Sequence, residues 1–323
     1  MRAYPVYLFV RAAGSFAGGC ALTYNLVYQV ETVGLDPLQL VLVGTVLEVT
    51  YLLAQLPTGL AADRYGRKPA VVADTALLGA GVAVQSVPTL AATLLGAGVY
   101  AVGAALVDGA EQAWIAGELG DDRAGHAFSR GAQFGQLGTV AGIGAGALLG
   151  LRSLRLPLVV GAACWLLLAA LLAGWMRETR LPPAGGPGRP ARVRLSAAML
   201  YVLAAVFVLG LGSEGWDRLG PARLLSFPHV GVVAIGVLGV ALMLGAALLT
   251  ELLRRRLDAA RAAAGQADSA GQILGGPPIG ALGTRASVPV ALAGAALLGA
   301  PAIALLARAR SRALRPTVVG TPA

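Results

Sequence analysis

Long apolar stretches alternate with short polar ones along the whole chain. Ten stand out, at about 6–28, 37–59, 69–87, 89–114, 128–150, 156–176, 196–213, 229–250, 266–284 and 288–308. Most approach the ~20 residues that a helix needs to cross a bilayer's hydrocarbon core. The seventh and ninth are shorter or broken by Gly and Pro, which buried membrane helices tolerate. Apolar residues run continuously instead of alternating, so the pattern predicts helices and not barrel strands. The fold class read from this is all-α, a polytopic membrane protein.

Composition agrees. Of 323 residues, 57% are apolar and 13% charged, against about a quarter charged in a soluble domain. That leaves too little polar surface to meet water. Arg11 interrupts the first apolar stretch, which continues past any plausible cleavage point, so it reads as a retained first helix and not a signal peptide. Cys20 and Cys164 lie inside apolar stretches and form neither a metal spacing nor a disulfide framework. Lys68 is the sole lysine, and the Ala-, Gly- and Arg-rich text suggests a bacterial source.

The net charge of +9 does not point to nucleic acid, because the arginines gather in alternate loops. With a cytoplasmic N-terminus, one side holds Arg64, Arg67, Lys68, Arg123 and Arg130 in the N-terminal half. The same side holds the arginines of 177–194, 254–261 and 308–315, while the other has only Arg152, Arg155, Arg218, Arg223 and Arg285. The positive-inside rule then puts both termini in the cytoplasm, at a bacterial inner membrane. The Pro/Gly/Arg-rich segment 177–195 reads as a cytoplasmic linker. It divides a six-helix bundle, 1–176, from a shorter one, 196–308, with a tail at 309–323. "GQLGTVAGIGAGALLG" in the fifth stretch and "GQILGGPPIGALG" in the ninth are weakly alike. Repeated halves are common in transporters.

The densest charge in the N-terminal half falls at the second turn, "GLAADRYGRK" (59–68). Arg64, Arg67 and Lys68 alone would mark orientation, but Asp63 adds nothing to it. Gly59 and Gly66 suit a tight turn, and Asp63 beside fixed cations suits a latch on the positive end of a neighbouring helix. The pattern G-x-x-x-D-R-x-G-R-K resembles the signature loop of the major facilitator superfamily, matched by Gly59, Asp63, Arg64, Gly66, Arg67 and Lys68. The resemblance implies two bundles that rock about a central cavity, with this loop as the gating motif. "GGPP" (275–278) and "EGWDRLGPARLL" (214–225) are similar to the family's eleventh helix and to its region after helix seven. The family's norm is twelve helices and this chain offers about ten. "TELLRRRLDAARAAAGQADSAGQ" runs from the eighth stretch into the ninth, so helices nine and ten are expected to be missing.

Ionisable residues inside spans are costly and are functional candidates by default. Arg11 lies in the first stretch, and Asp108 and Glu111 lie one turn apart in the fourth. All three sit within about 10 Å of the cytoplasmic end at 1.5 Å per residue. A pairing of Arg11 with Asp108 or Glu111 is expected, serving the substrate or proton route or else holding the helices together. Glu48 lies near the middle of the second stretch, where a carboxylate stripped of water suits a coupling group. Gln133 and Gln136 share a face of the fifth stretch and suit substrate contact or helix glue. Asp74 reads as interfacial, His126 as a loop residue, and Glu214, Asp217 and Arg218 as a solvated outer cluster. Trp114, Trp165, Trp175 and Trp216 read mostly as belt residues.

The expectation is a secondary transporter moving a small molecule by alternating access, proton-coupled and of drug-efflux type. Its partners are a small-molecule substrate, protons and the lipid bilayer, with no nucleic acid, cofactor or metal. Without a nucleophile triad, clustered His and carboxylates, or a phosphate loop, no enzyme is expected. The alternative is a truncated, non-transporting relative or a membrane assembly partner, motivated by the missing helix pair.

Overall fold

A computed structural model describes residues 3–176, 200–201, 204–211, 213, 217, 219–220 and single positions between 278 and 308. The side chains of residues 56, 59–65, 107–110, 113 and 121–122 are outside the description. So are the linker 177–195, the eighth stretch, Glu214, Trp216, Arg218, the tail, and the segment from which a helix pair was expected to be missing.

The first six apolar stretches are six helices: α1 (Ala3–Tyr28), α2 (Pro37–Tyr65), α3 (Arg67–Gln85), α4 (Leu90–Leu119), α5 (Asp121–Gly150) and α6 (Arg155–Trp175). No strand occurs among the described residues. A π-helical turn, Gln29–Val33, ends α1, and Gly34 closes it in the left-handed conformation (φ 76°, ψ 33°). Asp36 and Gln39 then bond reciprocally: the Gln39 N–H donates to Asp36 Oδ1 (2.9 Å) and the Asp36 N–H to Gln39 Oε1 (3.1 Å). This capping-box arrangement, with Pro37 opening the helix, fixes the start of α2. Thr89 caps α4 by accepting the Ala92 N–H at 3.2 Å.

At the opposite end of the bundle the connections shrink to one residue. Gly66 (φ 99°, ψ 164°) joins α2 to α3, and Gly120 (φ 77°, ψ 156°) joins α4 to α5. Both occupy a region of backbone space that is essentially glycine's alone. The expected turn at 59–68 is therefore corrected. Gly59, Asp63 and Arg64 belong to the last turns of α2, and Gly66 alone makes the reversal. Two other expectations also change. His126 and Arg130 lie on α5 and not in a loop, and the exposed His126 stacks on Tyr4 at 6.3 Å.

Helix α1 packs most widely against α5, then α6; α3 packs against α4 and α6, and α2 against α4. Glycine makes the tightest of these seams. A Cβ on Gly138 would collide with the Ala12 carbonyl, one on Gly142 with the Phe16 carbonyl, and one on Gly146 would lie 2.7 Å from the Cys20 carbonyl. From the other side, a Cβ on Gly19 would lie 2.5 Å from the Thr139 carbonyl. Such backbone proximity gains van der Waals contact where lipid supplies no hydrophobic drive between helices. Gly81 and Gly96 do the same between α3 and α4. Trp114 and Trp165, read as belt residues, are only 2% and 4% exposed. They fill the apolar core with Tyr7, Val71, Leu158 and Leu172, whereas Trp175 is exposed.

Described positions 204–211 of the seventh stretch are helical. Described residues beyond the 177–195 segment meet α2 near its Gly34 end. Leu219 and Ile279 are buried against Leu35, Leu40, Val41 and Val43. The Leu38 N–H donates to Thr284 Oγ1 at 2.9 Å.

Candidate functional site

One guanidinium and two carboxylates line a single cavity of about 150 Å³ among α1, α3, α4 and α6. Arg11 lies eight residues into α1, Asp74 seven residues beyond Arg67 on α3, and Glu111 nine residues before Gly120 on α4. At 1.5 Å per residue each lies about 10–13 Å from the Gly66 end, so all three share a depth. Val10, Val71, Leu78, Trp165 and Leu168 make the rest of the wall largely apolar.

Arg11 Nη1 lies 3.5 Å from Glu111 Oε2. The Arg11 side chain is 38% exposed and that of Glu111 10%. Gly135 of α5 faces the arginine: a Cβ there would press on Ser15 Oγ at 3.1 Å and sit in ordinary contact with Arg11 Nη2 at 3.7 Å. The pair engages one oxygen of Glu111 and one nitrogen of Arg11. Glu111 Oε1 and Arg11 Nε are both buried with no partner among the described residues. Leaving a buried polar group unmatched costs about 1–3 kcal/mol, so the arrangement is held at a cost and is open to exchange of partners.

Asp74 is the residue that sequence reasoning missed. Expected at the interface, it is instead 3% exposed and lines the cavity. Its Oδ1 accepts the Thr75 hydroxyl at 2.6 Å, which also reaches the Val71 carbonyl at 2.8 Å. The signal present in the sequence was the adjacent polar pair Asp74–Thr75 within an apolar stretch.

The remaining candidates are not gathered here. Glu48 is half-buried on α2 and lies outside the cavity's lining. Gln133 and Gln136 are exposed on α5, and Gln133 Oε1 accepts from Arg130 Nη1 at 3.2 Å. Lys68 and Arg67 begin α3 and are half-buried. The side chains of Asp63, Arg64 and Asp108 are outside the described residues.

Two comparisons bear on this arrangement. The sequence model of the Major Facilitator Superfamily matches residues 7–265. Among solved structures, the nucleoside transporter NupG superposes with a TM-score of 0.69 at 14% identity, covering 98% of this chain and 100% of that one. A bacterial homologue of the human lysosomal transporter Spinster, inward-facing and unoccupied, gives 0.60 at 14% identity, covering 93% and 79%. A D-xylose–proton symporter gives 0.52 at 12% identity, covering 95% and 88%. At these identities the likeness is one of fold. No curated protein matches the sequence significantly.

Proposed function

Because the chain belongs to the major facilitator superfamily, a family of multi-pass membrane transporters, we propose that it is a proton-coupled secondary transporter of a small molecule. The observation that carries this reading is the Arg11–Glu111 pair, held between α1 and α4 in an apolar wall. An ion pair there is worth little as a structural brace, because desolvation offsets most of its attraction. Protonation of Glu111 frees Arg11, and loss of that proton restores the pair. The two helices thereby sense whether a proton is bound. The solved D-xylose–proton symporter shows that this fold serves proton coupling in another protein.

We place the Gly66 and Gly120 turns on the cytoplasmic side of a bacterial inner membrane, where Arg67, Lys68, Arg123 and Arg130 satisfy the positive-inside rule. We further propose export of a compound of drug type, a reading supported by the resemblance of the sequence to efflux-type members of the family. Purified full-length protein in proteoliposomes, under an imposed proton gradient, tests this across a panel of labelled compounds. At least one compound moves with the gradient, and Arg11→Gln slows it tenfold or more at unchanged protein level. Transport indifferent to the gradient, or unaltered in Arg11→Gln, refutes the coupling.

A further inference from the structure

We propose that Asp74 is a second proton-binding carboxylate of the α1–α3–α4 cavity and that it alternates with Glu111 for the counter-ion Arg11. It rests on the proton-coupled reading above and names a group that reading did not contain.

The first argument is charge balance. Among the described residues, the cavity is lined by one cation, Arg11, and two acids, Asp74 and Glu111. The pair geometry assigns Arg11 to Glu111 at 3.5 Å. Asp74 is then left with the hydroxyl and the backbone N–H of Thr75, neither of which carries a charge, and at 3% exposure water cannot neutralise it. A buried, unpaired carboxylate is far too costly to keep charged. A proton on Asp74 removes the charge and still leaves Oδ1 free to accept from Thr75.

The second argument is that the partners needed for an exchange already line the same wall. Glu111 Oε1 and Arg11 Nε are buried and unmatched among the described residues. From α1, Tyr7 also lies near both Arg11 and Glu111. From α6, Asp74 meets an apolar wall, with Trp165 and Leu168 lining the cavity. When Glu111 takes a proton and releases Arg11, Asp74 becomes the acid that the guanidinium can neutralise, and it gives up its own proton. The net count stays at one proton and one ion pair. The pair is now α1–α3 in place of α1–α4, so proton movement is converted into a change of helix partners.

Infrared difference spectroscopy of the purified full-length protein tests this without substrate or gradient. At neutral pH the wild type shows the carbonyl stretch of a protonated carboxyl that fades as pH rises. The band shifts with ¹³C-aspartate and not with ¹³C-glutamate. It is lost in Asp74→Asn, persists in Asp108→Asn, and grows about twofold in Arg11→Gln, where neither acid has a counter-ion. If Asp74→Asn does not accumulate, the isotope shift in the wild type and the persistence in Asp108→Asn carry the test. No such band, a band that follows glutamate, one that survives Asp74→Asn, or one displaced by sodium at fixed pH overturns the proposal. A missing band ends the role of Asp74 and leaves gradient-driven transport standing. Gradient-independent transport with the band present ends the coupling reading instead.

Discussion

Two residues set the local terms of this bundle, one by its backbone and one by its charge. Gly66 adopts φ 99° and ψ 164° in a connection with no other residue to share the bend. Alanine there forces a side chain into a region it avoids, at about 1–3 kcal/mol. Gly66→Ala should therefore lower the melting midpoint in detergent, while Gly125→Ala, on α5 with open space around it, should leave it unchanged or raise it. Arg11 acts through its charge. Reversing it, Arg11→Glu, puts three acids in one cavity, and the additional Glu111→Arg restores the sign pattern. A double-mutant cycle on melting should return a coupling of about 1 kcal/mol, modest because Arg11 is 38% exposed and water screens it. These same residues show what the sequence could and could not disclose. Arg11 and Glu111 were legible because a charge stands out in an apolar run. Asp74 was not, because a position counted along the chain gives depth and not direction. What buries it is the close packing of α3 on α4, where a Cβ on Gly103 would lie 3.0 Å from the Asp74 carbonyl, and Glu111 of α4 lines the same cavity.

At the scale of elements, the seam between α1 and α5 is the tightest feature and the most exposed to substitution. Gly142→Val would drive α5 off the Phe16 carbonyl, and overpacking of this kind costs about 1–3 kcal/mol or more. Gly144→Ala, on the same helix with nothing within 4 Å, should gain about 0.5–1 kcal/mol from reduced chain freedom. Opposite shifts in the thermal midpoint of these two variants would establish that the seam, and not α5 as such, holds the bundle. Equal shifts would refute it. The existence of the first six helices was legible from hydropathy, and most ends fell within a few residues. The far ends of α2 and α4 and the start of α5 were misplaced because hydropathy measures the lipid and not the helix. Helix α5 has 30 residues, or about 45 Å at 1.5 Å per residue, against a hydrocarbon core of about 30 Å. Its first turns, with Arg123 and His126, run beyond the apolar stretch.

For the whole molecule, Leu219 and Ile279 are buried against Leu35 and Leu40, beside the hydrogen bond from Leu38 to Thr284. The proposed transport by alternating access requires that contact to open. A Leu38→Cys/Thr284→Cys pair, oxidised in proteoliposomes, should abolish transport, and reductant should restore it. Undiminished transport by the cross-linked protein would show that this contact is not a gate. Motion of that kind is not taken up within α2–α3 or α4–α5, because Gly66 and Gly120 give these couples no slack of their own. The same shortness has a consequence during synthesis. A helix cannot settle in lipid and wait while its successor lingers outside on a one-residue tether. In the proposed orientation each couple enters the bilayer as a ready-made hairpin, its arginine-bearing bend on the cytoplasmic side.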